Sequence, residues 1–218
     1  MFEGFTPETS EFLWELAFHN ERPWFQAHKE QFLRVLKEPF DALAEETLAA
    51  LSEKFPDEFF RLHISRIYRD ARRLYGHGPY KDHLWFTIWT GESAEDNPAF
   101  WFEVSAHDYG FGVGFYGMNA GQLEAYRRRI DAFPAEMERL ALGIEKQSTF
   151  RLGGEDYKRP RGDKGELLNP WYNKRSVHLE CRRDFGGDAL SSRLPILLAE
   201  EFAFLMPYYR YFRQFREG

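Results

Sequence analysis

Four short segments between residues 63 and 116 are rich in aromatic and β-branched residues, the composition that β-strands favour. They cover residues 63–68, 84–90, 100–105 and 111–116. Only a short turn, His107–Gly110, separates the last two segments, so they are predicted to pair as a hairpin within an antiparallel meander. An antiparallel sheet buries one face against other elements, so the rest of the chain must supply an apolar cover.

The segments on both sides of this predicted sheet carry apolar residues at helical spacing. Three helices are predicted in the first sixty residues, beginning at Pro7, Pro23 and Pro39. Thr6 and Asn20 are the expected N-caps of the first two. Further helices are predicted over 120–132, 134–147, 190–204 and 207–216, and further strands over 150–152 and 176–181. The pattern predicts an α+β fold in which N-terminal, middle and C-terminal helices pack around an antiparallel sheet.

The 218 residues suffice for one well-cored domain, and no change of composition marks a linker, so a single domain over 1–218 is predicted. Aromatic residues make up 18% of the chain and should fill its core. The one cysteine, Cys181, cannot form an intrachain disulfide and is expected to be buried. Met1–Phe5 lacks signal-peptide features, and no apolar run reaches the roughly 20 residues that span a bilayer. We therefore expect a cytoplasmic protein with no membrane partner.

The net charge of −6 is unevenly distributed along the chain. Residues 61–83 carry six Lys or Arg against two Asp or Glu, and residues 151–184 carry nine against six. We call their central parts, residues 66–83 and 157–175, the first and second basic segments. An acidic protein is poorly suited to broad binding of nucleic acid, except at ends or single strands. Two basic segments in such a chain favour a compact site for a small phosphate- or carboxylate-bearing molecule.

The first basic segment supplies most of the candidate site. Arginine matches two oxygens of a phosphate or carboxylate at once and stays charged when desolvated. The turn at Gly76 and Gly78 could also expose backbone N–H groups to an anion. The candidate ligand-binding residues here are Arg66, Arg69, Arg72, Tyr80, Lys81 and Trp85.

Three residues of the same segment are candidates for proton transfer, namely Asp70, Tyr80 and His83. The alternative for Asp70 is that its carboxylate orients an arginine and does not contact the ligand. The alternative for the whole segment is structural: its arginines would be ion-pair partners for the surplus carboxylates of the N-terminal helices.

The second basic segment opens with a cationic loop punctuated by glycine and proline. Loops on a rigid scaffold often carry binding residues, and this loop could close over an anion held by the first segment. Its candidate ligand-binding residues are Lys158, Arg159, Lys174 and Arg175. We predict that the two segments line a common pocket, whereas the alternative is an ordinary solvated surface.

Several motifs of the chain occur in a specific order and spacing. They are Phe5–Pro7, Asn20–Phe25, Ser65–Arg72, Pro79–Lys81, 112–116, Tyr126–Arg127, Tyr157–Pro160 and Trp171–Ser176. Together they resemble the family described as domain of unknown function 2461, over nearly the whole chain. The resemblance implies an α+β cytoplasmic protein of prokaryotic type and assigns no activity, cofactor or substrate. The family pattern has an Arg-Phe-like pair and a Lys-Asp-Lys-like stretch at this point, and residues 72–78 of this chain depart from it. Any role that the family assigns to a lysine of that stretch is therefore not assigned to this chain.

The sequence favours neither a metal nor a cofactor. The seven histidines fall in no Cys-x-x-Cys or His-Glu-x-x-His motif, so metal binding is not predicted. No nucleophile elbow or phosphate loop occurs, and Gly110, Gly112 and Gly114 lie inside a predicted strand instead of opening a helix. The bare strand face at these glycines is predicted to be filled by a tryptophan, such as Trp85, Trp89 or Trp101, with a flat ligand as the alternative.

Three functions are consistent with these residues. The first is a small-molecule site, with catalysis left open. The second is a non-catalytic module that binds a nucleotide or a nucleic-acid end by charge and stacking. The third is a protein-interaction module that docks an acidic surface. The sequence leaves the oligomeric state open.

Overall fold

The fold is that of a computed structural model, which describes residues 1–70, 72, 78–92, 97–115 and 117–215. Its α-helices are α1 (Pro7–Phe18), α2 (Arg22–Ala27), α3 (Lys29–Phe32), α4 (Glu38–Lys54), α5 (Ala120–Ala132), α6 (Pro134–Glu145), α7 (Gly165–Tyr172) and α8 (Leu194–Phe212). Its strands are β1 (Phe60–Ile64), β2 (His83–Thr90), β3 (Ala99–Ser105), β4 (Asp108–Gly114), β5 (Arg151–Gly153) and β6 (His178–Asp184). The strands form one antiparallel sheet in the order β1-β2-β3-β4-β6-β5. The predicted α+β fold is confirmed.

At two prolines, the sequence predicted the start of a new helix where the structure has one continuous helix. Pro39 was predicted to begin a helix, but α3 and α4 are continuous through a π-helical turn, Leu33–Lys37. A wider turn just before a proline relieves the clash of its ring with the preceding turn. Pro207 likewise lies within α8, where two helices were predicted. Helix α7 was missed, because its eight residues carry a proline of their own, Pro170.

Two further local predictions are corrected. The first strand ends at Ile64 and not at residue 68, and Tyr68 instead forms an isolated bridge with Tyr80. Helix α2 is capped by Glu21 and not by Asn20, whose side chain binds the backbone of Tyr80. The predicted turn at Gly76 and the last residues of the predicted strand 111–116 and helix 207–216 lie outside the described residues.

The chain divides into two compact units, each assembled from three stretches of sequence. Unit 1 comprises residues 1–88, 101–111 and 182–203. Its core joins the N-terminal helices to one face of the sheet, where the ring of Phe40 lies 5.8 Å from Phe86 of β2 and 6.1 Å from Phe102 of β3. This contact confirms that the N-terminal helices cover one face of the strands.

Unit 2 comprises residues 89–100, 112–181 and the described residues from 204 onward. Its core is also aromatic: Tyr209 stacks on Phe100 at 4.7 Å, and its hydroxyl accepts the Thr90 N–H at 2.7 Å. Cys181 is buried, as expected. None of the described helices is long and apolar enough to cross a membrane.

Candidate functional site

The first basic segment folds back on itself within unit 1. The Arg69 N–H donates to the Pro79 carbonyl at 2.8 Å, and the Lys81 N–H donates to the Ile67 carbonyl at 2.7 Å. These two bonds set the stretch that carries Arg66 and Arg69 alongside the stretch that carries Lys81. Three of the predicted ligand-binding cations are therefore neighbours.

Lys81 occupies the centre of this group of cations. Its Nζ donates to the Arg66 carbonyl at 2.7 Å and lies 5.6 Å from the centre of the Trp85 ring. Burial lowers the pKa of Lys81, and the charges of Arg66 and Arg69 lower it further. Among the described residues, no carboxylate lies within ion-pair distance of its ammonium group. Lys81 thus carries a positive charge that its surroundings disfavour.

The two arginines of the cluster differ in how firmly they are held. Arg69 donates from Nε to the Tyr80 carbonyl at 2.7 Å, and its Nη2 lies 3.5 Å from the Asp82 carboxylate. Arg66 is exposed, and its guanidinium has no ion-pair partner in the part of the chain that the structure describes. We call Arg66, Arg69 and Lys81 the cation cluster; among the described residues, the carboxylate that pairs with it is that of Asp82.

The Asp70 carboxylate forms an ion pair with Arg72, and orienting an arginine is one of the two roles considered for Asp70. Its carboxylate accepts from Arg72 Nη2 at 2.8 Å, from Arg72 Nε at 3.1 Å and from the Arg72 N–H at 3.0 Å. The hydrogen bond and the charge of Asp70 raise the pKa of Arg72. The Arg72 side chain is 88% exposed. A ligand-binding role for Arg72 and a proton-transfer role for Asp70 stay predictions.

Tyr80 lies in the core of unit 1 and is only 1% exposed. Its ring stacks on Phe25 with the centroids 4.2 Å apart, and burial raises the pKa of its hydroxyl. The backbone of Tyr80, and not its ring, is what the cation cluster contacts, through the bond from Arg69. The arrangement therefore lends no support to the predicted catalytic and ligand-binding roles of the Tyr80 side chain.

His83, at the start of β2, lies between two carboxylates. Its Nδ1 is 2.9 Å from Asp82 Oδ1, and its Nε2 is 3.9 Å from Glu103 Oε2. Burial by itself would raise the pKa of Asp82, but the bond from His83, a backbone N–H and the charges of His83 and Arg69 lower it overall. With Nδ1 directed at Asp82, Nε2 is the ring nitrogen left to exchange a proton. Of the three proton-transfer candidates, His83 has the contacts that suit the role best.

Trp101 and Arg182 cover the bare strand face at Gly110. A Cβ on Gly110 would lie 3.2 Å from Arg182 Cγ and 3.3 Å from the Trp101 ring. This arrangement matches the predicted filling by a tryptophan. At Gly112 the reason differs, because a Cβ there would lie 1.9 Å from the Leu179 carbonyl oxygen of the neighbouring strand.

The candidates of the second basic segment belong to unit 2 and fall into two groups. Lys174 and Arg175 are engaged: Lys174 is 9% exposed and binds the Gly154 carbonyl at 2.9 Å and Asp156 at 3.0 Å, and Arg175 pairs with Glu155 at 3.3 Å. Lys158 and Arg159 are exposed and form no ion pair with the described residues. The common pocket predicted for the two basic segments stays a prediction.

Asn173 organises the second basic segment and was not among the candidates. Its Oδ1 accepts from the Arg161 N–H at 2.6 Å and from the Gly162 N–H at 3.4 Å, and its Nδ2 donates to the Gly162 carbonyl at 3.2 Å. These bonds tie the loop to the end of α7. The available signal was the motif Trp171–Ser176, in which Asn173 is the residue suited to capping a loop.

No group of three or more His, Cys, Asp or Glu within the described ranges is arranged to hold a metal ion. The fold and the cation cluster define an α+β protein whose antiparallel sheet carries a basic and aromatic group of residues where β2 begins. The chain matches the family described as a conserved hypothetical protein (DUF2461) over residues 8–211. It therefore belongs to this family, as its motifs indicated. No curated protein matches the chain.

Proposed function

We propose that the cation cluster binds a small molecule through a phosphate or carboxylate group, with Trp85 as an aromatic wall of the site. The observation that carries this proposal is the position of Lys81. Its half-buried ammonium lies near two guanidinium groups and has no carboxylate partner in the described part of the chain. Such an arrangement costs folding free energy that a bound anion would offset.

The chemistry of the cluster suits an oxyanion. Arg66 can offer a planar pair of donors because its guanidinium is exposed and unpaired among the described residues. Lys81 contributes a point charge. Because its ammonium lies 5.6 Å from the centre of the Trp85 ring, an anion bound to Lys81 would lie beside that apolar ring. Arg69 is committed to the Tyr80 carbonyl and positions the backbone more than it offers donors.

The pair formed by Asp82 and His83 adds a group for proton transfer next to Lys81 in sequence. Asp82 would hold the ring while Nε2 exchanges a proton with the bound molecule, which is general acid–base catalysis. Binding without catalysis uses the same cations. The proposal therefore covers an enzyme that acts on the anion and a module that only binds it.

A non-catalytic module that binds an acidic protein surface or a nucleic-acid end is the second candidate. The observation that favours it is the exposure of the Arg72 side chain, which is 88% accessible. Such a surface would engage a large partner more readily than a buried site would.

Isothermal titration with inorganic phosphate, citrate and a 5′-phosphorylated oligonucleotide, at constant ionic strength, tests the proposal. Lys81→Met and Arg66→Ala should each weaken binding of the small anions about tenfold, the loss expected for one charge-assisted contact. Lys54→Met and Arg193→Ala are matched controls, because both residues are exposed cations of unit 1 without an ion pair to the described residues. Equal affinity for citrate in variants and controls would refute the proposal. Binding of the oligonucleotide alone would favour the second candidate.

A further inference from the structure

We infer that unit 2 holds a second anion site, formed by Arg127 and Arg161 on the ring of Tyr157, and that its ligand is a phosphate group. None of these residues belongs to the cation cluster; Tyr157 and Arg161 lie in the second basic segment but were not among its named ligand-binding candidates. The site is independent of the function proposed above.

Arg127 supplies the main observation. It lies in the middle of α5, with its guanidinium carbon 5.5 Å from the centre of the Tyr157 ring. Its Nη1 is buried and has no hydrogen-bond partner among the described residues. A buried charged donor without an acceptor is strongly unfavourable, so buried guanidinium groups normally meet oxygens. An oxyanion beside Tyr157 would provide that acceptor.

Arg161 approaches the same ring from the second basic segment. Its guanidinium carbon lies 4.2 Å from the centre of Tyr157, and its backbone N–H is fixed by Asn173 at 2.6 Å. The Arg161 side chain is exposed and forms no ion pair with any described carboxylate. One aromatic ring thus attracts two guanidinium groups.

Two carboxylates close to these arginines in sequence, Asp131 and Asp163, are engaged by other groups. Asp131 pairs with Lys164 at 2.6 Å and accepts from the Tyr172 hydroxyl at 3.2 Å. Asp163 accepts from Asn169 at 2.9 Å and from the Gly165 N–H at 3.1 Å. Neither carboxylate forms an ion pair with Arg127 or Arg161. A phosphate dianion balances two guanidinium groups and offers more acceptor oxygens than a carboxylate, which is why we assign phosphate.

The test is titration of inorganic phosphate into the full chain carrying Lys81→Met, so that the cation cluster contributes little. Arg127→Met keeps the length and helix propensity of the side chain and removes its charge. Arg128→Met is the matched control, because Arg128 lies next to it on α5 and is 71% exposed. We expect Arg127→Met to weaken phosphate binding about tenfold or more, and Arg128→Met to change it less than about twofold.

Two further variants keep the inference falsifiable if Arg127→Met does not fold, which far-UV circular dichroism would reveal. Arg161→Ala removes an exposed guanidinium and should also weaken binding about tenfold. Tyr157→Phe retains the ring and should bind phosphate as tightly as the parent does. Tyr157→Leu removes the ring that both guanidinium groups contact and should bind phosphate more weakly than the parent. The inference is overturned if the parent binds no phosphate, or if Arg127→Met or Arg161→Ala binds as tightly as Arg128→Met. Because Lys81→Met is present throughout, failure here leaves the function proposed for the cation cluster untouched.

Discussion

Asn20 binds the main chain of Tyr80 at both of its polar groups. The Asn20 Nδ2 donates to the Tyr80 carbonyl at 2.9 Å, and the Asn20 Oδ1 accepts from the Tyr80 N–H at 2.9 Å, across 60 residues of sequence. A side-chain amide thereby replaces the backbone of a neighbouring strand. Since Tyr80 precedes Lys81 and its carbonyl also accepts from Arg69, this contact positions two members of the cation cluster.

Replacing Asn20 should therefore destabilise unit 1. Asn20→Ala leaves the Tyr80 N–H without its partner and should lower the free energy of unfolding by about 1–3 kcal/mol. Urea denaturation followed by circular dichroism measures the change.

Gly78→Ala should also destabilise unit 1, because a Cβ at Gly78 would lie 2.3 Å from the Asn20 amide. Gly78→Ala should cost less in an Asn20→Gly background, because that change removes both the amide and the Cβ of Asn20, which would lie 2.3 and 2.6 Å from the added Cβ. Additive effects would show that Asn20 does not restrict Gly78.

Lys174 and Arg175 are neighbours in sequence but should respond differently to substitution. Lys174→Met removes a largely buried ammonium that joins the Gly154 carbonyl to Asp156, and should cost about 1–3 kcal/mol of unfolding free energy. Arg175→Ala removes an exposed ion pair and should cost less than about 0.5 kcal/mol. Equal losses in urea denaturation would contradict this assignment of Lys174 to structure and of Arg175 to the surface.

Lys81 should make stability increase with pH in the alkaline range. Burial and the charges of Arg66 and Arg69 place its pKa in the folded protein below the ordinary value of 10.5. Between these two values the unfolded chain binds more protons than the folded one, so this contribution to stability rises with pH. The unfolding free energy of the wild type, minus that of Lys81→Met, should therefore increase from neutral pH to about 10.5. A constant or falling difference would argue against the strained ammonium on which the proposed function depends.

Removal of metal ions should leave stability unchanged. A structural zinc site would contribute directly to folding free energy, so its loss would lower the melting temperature by many degrees. We expect the same melting temperature before and after dialysis against a strong chelator, measured by differential scanning calorimetry. A large fall that zinc restores would contradict this prediction and reveal a structural metal site.

The sequence by itself determined most of the secondary structure, because the signals involved are local. Pro7 after Thr6 begins α1 where expected, and the limits of α5 agree with the predicted 120–132. The aromatic strands and the helices around them were sufficient for the α+β class. The three cations of the cluster were also candidates from the start, since charge density is visible along the chain.

Only the tertiary structure decided what individual side chains do. Asn20 was predicted as a cap and instead binds Tyr80. Lys174 was named for its charge, and only the folded structure shows that its ammonium group contacts Gly154 and Asp156. Tyr80 lies in a basic segment, yet its ring stacks in the core on Phe25. In each case the deciding partner lies far away in sequence, or the deciding factor is which face of the backbone is covered. Periodicity and composition report the element to which a residue belongs, whereas hydrogen bonding and burial depend on what folding brings to it.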